Sequence, residues 1–115
     1  MVDATNGARF RLAAAPNRLV IESGEAGCLI LRGEIDAASA WSLALALEDP
    51  DIVRLDCAAV SFFGAAGLRV LLRGGALRRL TLRSPSLAVR RVLQFTGQTD
   101  AFAFEAPTHD RNDAA

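Results

Sequence analysis

Short alternating runs near the start of the chain predict an antiparallel hairpin. Residues 9–12 (RFRL) alternate polar and apolar positions, which is the period of a half-buried strand. The next segment contains Pro16 and Asn17 and favours a turn, because proline cannot donate to a ladder and asparagine tolerates turn conformations. Residues 18–23 (RLVIES) predict the return strand, and the glycines of 24–27 (GEAG) predict a flexible connection.

A buried strand and an alanine-rich helix follow the hairpin. Residues 28–35 (CLILRGEI) begin with an almost continuous apolar run, as in a strand whose two faces are both covered. Alanine and leucine, both strong helix formers, dominate residues 37–49 (AASAWSLALALED). Asp36 is the predicted N-cap of this helix and Pro50 its end, and the next strand is predicted at 52–56.

A glycine turn leads into the second predicted helix. A short loop is expected before Val60, and Gly64 is the predicted turn. The helix is predicted over 65–78, where Gly74 and Gly75 are expected to end it, because glycine favours helix C-termini.

The last third of the chain predicts one more strand, helix and strand. Residues 79–84 (RLTLRS) alternate as a strand, and the serine and proline of 84–86 (SPS) suit the start of a helix over 87–97, which Gly97 closes. The predicted inward positions of this helix are Leu87, Val89, Val92, Leu93 and Phe95, and the predicted solvent-facing positions are Arg90, Arg91 and Gln94. Residues 101–106 (AFAFEA) alternate alanine and phenylalanine and predict a short last strand.

This order of elements predicts an α/β fold with one mixed sheet. The opening hairpin is antiparallel, whereas each strand–helix–strand unit favours a right-handed parallel crossover. A chain of 115 residues is expected to form one domain. We therefore expect a single α/β domain over 1–105, with about three helices packed on its sheet, and a mobile tail over 106–115 that has no apolar anchor.

Composition and charge exclude several classes of function. Thirteen basic and thirteen acidic side chains cancel, so no electrostatic footprint for nucleic acid is present. No apolar run reaches the roughly 20 residues that span a bilayer, and the first ten residues lack the pattern of a signal peptide, so no membrane insertion is expected. Cys28 and Cys57 both lie in apolar stretches and are expected to be buried, reduced thiols of a cytoplasmic protein.

The segment SFFGAAGL (61–68) leads from the predicted strand into the second helix, where functional groups are often found. The first backbone N–H groups of a helix point outward at such a turn. Gly64, Ala65, Ala66 and Gly67, however, offer no hydroxyl, carboxylate, thiol or imidazole. One interpretation is a tight turn that needs glycine for its backbone angles and small residues for packing. The other is a small patch on which a partner docks closely, and the two are compatible.

Three segments resemble the STAS domain, the fold of bacterial anti-sigma factor antagonists. GEID (33–36) resembles the family's Gly-Glu-hydrophobic-Asp signature. LDCAAVSFFGAAGLRVLL (55–72) resembles the strand, loop and second helix that carry its regulatory site, and SPSLAVRRVLQFTG (84–97) resembles its third helix. The resemblance implies a domain that binds a protein partner, often a serine kinase that also holds a sigma factor. Phosphorylation of a serine at the start of the second helix then ends the binding.

Matched to the family's Asp-Ser-Ser-Gly or Asp-Ser-Thr-Gly pattern, this chain lacks the phosphoryl acceptor. Gly64 stands at the aspartate position, Ala65 and Ala66 at the two hydroxyl positions, and Gly67 matches the glycine. Alanine cannot receive a phosphoryl group. The negative charge of phosphorylation, which would disturb a contact surface, therefore cannot be added at the degenerate positions 65 and 66. Whether the two alanines are natural or engineered stays open.

The resemblance implies a partner surface formed by the 33–39 loop, the turn at 64–67 and the outer face of the second helix. Its predicted residues, called the partner surface below, are Glu34, Asp36, Ser39, Gly64, Ala65, Ala66, Gly67, Arg69 and Arg73. Trp41 is expected in the core; if exposed, it would be a good interface anchor.

Other chemistry at these positions is less favoured by the sequence. Ser61 is the hydroxyl nearest the missing acceptor, and Ser39, Ser42 and Thr96 are weaker substitutes. Glu34 and Asp36 form a candidate pair for proton transfer, although capping by Asp36 explains that residue without chemistry. Asp56 beside Cys57 suggests a nucleophile, but the only histidine, His109, lies in the tail. A nucleotide at the start of the second helix also stays open.

The sequence therefore predicts a non-enzymatic interaction domain without metal or cofactor. The expected partner is an anti-sigma factor of the serine-kinase type. Two alternatives are an accessory subunit that binds the ATPase of a lipid-transport system and a stressosome-like scaffold that assembles with related domains. Whether the chain pairs with itself as a homodimer is left open.

Overall fold

The computed structural model describes residues 11–13 and 19–106, and within them six strands and three α-helices are found. The strands are β1 (Arg11–Ala13), β2 (Leu19–Ser23), β3 (Cys28–Ile35), β4 (Arg54–Phe63), β5 (Thr81–Arg83) and β6 (Ala103–Glu105). The helices are α1 (Ala40–Ala46), α2 (Ala65–Leu77) and α3 (Leu87–Thr96), and a short 3₁₀ helix (Thr99–Ala101) precedes β6. The part of the predicted tail beyond Ala106 lies outside the described residues.

The strands form one mixed sheet in the order β1-β2-β3-β4-β5-β6. The pairs β1–β2 and β2–β3 are antiparallel, and β3 to β6 pair in parallel. Each parallel connection steps one strand in the same direction, so right-handed crossovers place α1, α2 and α3 on one face of the sheet. Buried residues of the helices and strands form one apolar cluster there. The predicted α/β architecture with its antiparallel hairpin is confirmed.

Strand β4 is longer and more irregular than predicted. Residues 57–59, expected as a loop, belong to the strand. Its register with β3 shifts twice, and each shift adds one residue on the β4 side, as in a β-bulge. The carboxylate of Asp56 accepts the N–H of Ala58 (3.1 Å) at the first shift. The prediction of a loop was wrong, because the bulge absorbs the extra residues without ending the pairing.

Two glycines expected to end α2 lie inside it. The helix continues through Gly74 and Gly75 to Leu77. Gly74 is buried, and a methyl group there would lie 3.3 Å from Cδ1 of Leu47 and 3.4 Å from Cδ1 of Leu80. The missing side chain lets α2 approach its neighbours closely, so Gly74 serves packing and does not terminate the helix.

Several large apolar residues lie at the surface. Val89 and Leu93 of α3 are buried as predicted, but Leu87 is 52% exposed and Phe95 is 92% exposed. Trp41, expected in the core, is 56% exposed. Helix α3 packs against β4 with Val89 and Leu93 buried, which leaves the apolar residues on its other side uncovered.

The sheet face opposite the helices carries a cluster of ion pairs. Arg54 and Arg83 alternate with buried strand residues and therefore point away from the helices, and Glu105 lies opposite Arg83 in the pairing of β5 with β6. The Arg83 guanidinium donates to Glu25 (2.8 Å) and to Glu105 (3.1 Å), and Arg54 lies 3.3 Å from Glu105. The hydrogen bond from Arg83 lowers the pKa of the Glu25 carboxyl. These bonds tie the β2–β3 turn to the β6 edge.

No helix in the described part of the chain is long and apolar enough to cross a membrane.

Candidate partner-binding surface

The two loops of the predicted partner surface are hydrogen-bonded to each other. Strands β3 and β4 are parallel neighbours, so they end at the same edge of the sheet, with Ile35 opposite Phe63. The N–H of Gly64 donates to the carbonyl of Ile35 (3.0 Å). The loop after β3 and the start of α2, which are distant in sequence, therefore form one corner of the molecule.

The loop after β3 is held by reciprocal bonds between Asp36 and Ser39. The N–H of Ser39 donates to Oδ1 of Asp36 (2.9 Å), and the N–H of Asp36 donates to Oγ of Ser39 (3.0 Å). The Ser39 hydroxyl also lies 2.8 Å from the carbonyl oxygen of Glu34, to which it donates. Asp36 thus accepts the capping bond that was predicted, but a turn separates it from α1, which begins at Ala40.

Ser39 does not belong to the contact surface. Its side chain is 0% exposed, so it cannot touch a partner and its predicted role is corrected. It positions the loop instead, because it bonds to both Glu34 and Asp36. Ser42 is also 0% exposed, which excludes it as a substitute phosphorylation site in the folded chain.

Helix α2 begins without a side-chain cap. Gly64 occupies the N-cap position, where the family pattern has an aspartate, and no side chain accepts from the first turn. Its φ of −102° and ψ of −178° are extended backbone that any residue adopts. The part of the tight-turn interpretation that requires glycine at 64 for its backbone angles is therefore wrong.

Gly67 is a packing residue and not a contact residue. It is buried in α2, and a methyl group at this position would lie 2.6 Å from Cγ2 of Ile35 and 3.0 Å from Cε1 of Phe63. Glycine at 67 therefore brings α2 against the end of β3 and holds the corner together. The prediction that Gly67 contacts a partner is corrected, because its backbone lies inside the molecule.

The remaining residues form an exposed strip from the corner along α2. Ala65, Arg69 and Arg73 are exposed, Ala66 is half-buried against the core, and Glu34, Asp36 and Gly64 are half-buried at the corner. Arg69 and Arg73 lie on one helix face, as their spacing predicts. Asp36 and Gly64 thus lie at the corner, and Ala65, Arg69 and Arg73 follow it along α2.

Phe62 is a surface residue of this corner that sequence reasoning missed. It is 50% exposed, and a methyl group on Gly64 would lie only 3.1 Å from its ring. The sequence contains one signal for the exposure of Phe62. Neighbouring strand residues face opposite sides of a sheet, so Phe62 and the buried Phe63 face opposite sides. Phe62 adds an aromatic group of the kind that anchors protein interfaces.

Neither cysteine is a nucleophile activated for catalysis. Cys57 is 1% exposed, and burial raises the pKa of its thiol to about 12. Cys28 is also a free, buried thiol, as predicted, and burial raises its pKa as well. Thiolates are the reactive form of cysteine, so both side chains are unreactive at neutral pH. Within residues 11–13 and 19–106 no group of His, Cys, Asp and Glu side chains is arranged to hold a metal ion.

A solved structure of similar fold is that of an anti-sigma factor antagonist from Mycobacterium paratuberculosis. The two chains are 24% identical, the match covers 90% of this chain and 97% of that chain, and the TM-score is 0.62. No known protein-family profile and no curated protein matches the sequence. A likeness at this identity establishes the fold alone. The chain therefore has the fold of an anti-sigma factor antagonist, as its resemblance to the STAS domain predicted.

Proposed function

We propose that the chain is a non-enzymatic protein-interaction domain of the bacterial cytoplasm that binds an anti-sigma factor of the serine-kinase type. The observation that carries this proposal is the hydrogen-bonded corner of Ile35 and Gly64, which presents small residues beside an exposed phenylalanine. Small side chains allow a partner backbone to approach closely, and Phe62 supplies apolar area. The similar fold of an anti-sigma factor antagonist supports the class of partner.

We further propose that phosphorylation at residues 65 and 66 does not regulate this complex. Ala65 and Ala66 have no hydroxyl, and Ser61 is the only hydroxyl-bearing residue in 61–68. The start of α2 also lacks an acidic cap, so the corner carries less negative charge than the family pattern implies. Binding would then be set by concentration and competing contacts, since the phosphoryl switch is absent.

Substitution of Ala65 by glutamate tests the contact surface. Ala65 is exposed in the first turn of α2, where an acidic side chain is compatible with the helix, so the fold is retained. A charge buried against a partner is expected to weaken binding at least about tenfold. Affinity is measured for serine-kinase anti-sigma factors of the organism that encodes the chain. Ala26→Glu, exposed in the β2–β3 turn at the opposite end of β3 from the corner, is the matched control and should change the affinity less than about threefold.

Equal affinity of Ala65→Glu and the unchanged chain would contradict the proposed surface. Co-purification of an ATP-binding cassette protein instead of an anti-sigma factor would contradict the proposed partner.

Incubation with the partner kinase and ATP tests the regulatory claim. We expect intact-mass measurement to show no phosphoryl group on the unchanged chain within 61–68. A chain with Ala65→Ser and Ala66→Ser restores both hydroxyls and serves as the positive control for the kinase. A phosphoryl group on Ser61 of the unchanged chain would overturn the claim.

A further inference from the structure

Helix α3 has apolar side chains on two opposite sides, and only one of these sides is covered. Val89 and Leu93 are buried where the helix packs on the sheet. Leu87, Arg91 and Phe95 are spaced four residues apart, so they form one row along the opposite side of the helix. Leu87 is 52% exposed and Phe95 is 92% exposed. An amphipathic surface helix needs one apolar side for its own core, so this second apolar side indicates a contact outside the domain.

Arginines accompany the exposed apolar residues of α3. Arg90 and Arg91 are both exposed, and the helix contains no acidic residue. The α3 outer face, as the term is used below, consists of Leu87, Arg90, Arg91 and Phe95. A helix that combines exposed cations with exposed leucine and phenylalanine is typical of helices that lie in a membrane interface.

The balanced charge of the chain conceals a separation of charge along the sequence. Residues 57–99, which include α2 and α3, contain seven of the thirteen arginines and no acidic residue. Arg83 of this segment forms ion pairs on the far face of the sheet, but Arg90 and Arg91 have no acidic neighbour in their own helix. The segment that contains α3 is therefore positive although the whole chain is neutral, and it complements an anionic surface.

The shape around Phe95 favours a soft apolar medium over a preformed protein pocket. Within the described residues, the groove of about 520 Å³ beside its ring is lined by Arg91, Val92, Gln94 and Phe95, all from α3. No second element of the described chain encloses the ring, so the ring projects from the surface. A projecting ring enters the boundary between headgroups and acyl chains directly, whereas a protein partner must supply a pocket of matching shape.

We propose that the α3 outer face binds the surface of a membrane that contains anionic lipids. Phe95 and Leu87 enter the boundary between headgroups and acyl chains, and Arg90 and Arg91 lie among the headgroup phosphates. Anionic lipids give a leaflet a negative surface potential, which attracts arginines close to it. The contact is peripheral, because the helix lies on the membrane and does not span it. It goes beyond the proposed function, since it uses α3 and not the corner.

The association is expected to be weak and reversible. One phenylalanine and one leucine bury fewer carbon atoms than a single myristoyl chain, which itself gives only marginal binding. Binding therefore depends on the fraction of anionic lipid and on the ionic strength. The chain moves between the membrane surface and solution as either of these changes.

Co-sedimentation with vesicles tests the proposal. Vesicles of phosphatidylglycerol mixed with phosphatidylcholine are compared with vesicles of phosphatidylcholine alone. The partition coefficient of the chain should be at least about tenfold higher on the anionic vesicles, because both arginines contribute. In about 0.5 M sodium chloride this difference should shrink to less than about threefold, because the screening length falls to about 4 Å.

Two pairs of variants distinguish the α3 outer face from general adsorption. Phe95→Ala should lower the partition coefficient on anionic vesicles at least about tenfold, because the ring that leaves water is removed. Its control is Trp41→Ala, which removes an exposed aromatic ring from α1 and should change the coefficient less than about twofold. Arg91→Gln should lower the coefficient about fivefold. Its control is Arg32→Gln, which removes the same charge from the sheet face away from the helices and should change the coefficient less than about twofold.

Equal partition of the unchanged chain on the two kinds of vesicle would overturn the inference, and so would equal effects of Phe95→Ala and Trp41→Ala. Binding to polyglutamate but to neither kind of vesicle would assign the face to an acidic protein and would also overturn it. The assay of Ala65→Glu with an anti-sigma factor does not involve α3. The proposed function can therefore hold where vesicle binding fails, and vesicle binding can hold where the proposed function fails.

Discussion

Replacing Gly67 with alanine is expected to lower the free energy of unfolding by about 2 kcal/mol. The added methyl group would lie 2.6 Å from Cγ2 of Ile35 and 3.0 Å from Cε1 of Phe63. Neither neighbour moves easily, because Ile35 is β-branched and both side chains are at least 97% buried. The better helix propensity of alanine returns only about 1 kcal/mol, so the steric cost decides the sign.

The matched control for Gly67→Ala is Gly75→Ala in the same helix. A methyl group at 75 would lie 3.6 Å from Cε1 of Phe102, which is ordinary van der Waals contact. The free energy of unfolding of this variant should rise by about 0.5–1 kcal/mol, because alanine has a better helix propensity than glycine. Urea denaturation followed by circular dichroism measures both variants. A Gly67→Ala chain as stable as Gly75→Ala would show that α2 does not pack against β3 as described.

Raising the pH from 7 to 10.5 is expected to lower the stability of the chain by about 2–3 kcal/mol through Cys57 alone. The thiol has a pKa of about 12 in the folded chain and about 8.5 when unfolded, so only the unfolded chain releases this proton at pH 10.5. A raised folded-state pKa contributes stability that is fully present below the unfolded value. That stability is lost as the pH rises toward the folded value.

The composition makes this alkaline effect unusually clear to measure. The sequence contains no lysine and no tyrosine, so cysteines are the only side chains that release protons between pH 8.5 and 10.5. Burial raises the pKa of Cys28 in the same direction.

The control for the alkaline effect is Cys57→Ala, compared with the unchanged chain at both pH values. This variant should be somewhat less stable than the unchanged chain at pH 7, because its side chain is smaller. Between pH 7 and 10.5, however, it should lose less stability than the unchanged chain does. Equal losses in the two chains would contradict the burial of Cys57.

Local sequence signals predicted the number, type and order of the elements. The alternation of RLVIES and the apolar run of CLILRGEI identify β2 and β3, because strand periodicity is a property of neighbouring residues. Ser86 and Gly97 mark the ends of α3 in the same way: Ser86 accepts the N–H of Val89, and Gly97 adopts a φ of +72°. Capping is also local, so these boundaries are readable without the fold.

Exposure was predicted less well than element type. Leu87 and Phe95 fit the apolar period of α3 as well as Val89 and Leu93 do, but only the latter pair faces the sheet. The helix packs against β4, and which of its apolar residues are covered depends on that tertiary contact. The burial of Trp41 was predicted wrongly for the same reason, because its position in the sequence does not specify what packs beside α1.

The sequence by itself determined the chemistry of the candidate site. Alanine at 65 and 66 removes the hydroxyl acceptor whatever the fold, because a functional group is a property of the side chain. Only the tertiary structure decided that Ser39 and Gly67 are internal and that Phe62 and Trp41 are exposed. The burial of Gly67 depends on contacts between β3, β4 and α2, which the chain brings together from positions about 30 residues apart in a parallel crossover. Local patterns cannot report such contacts, because no single segment contains both partners.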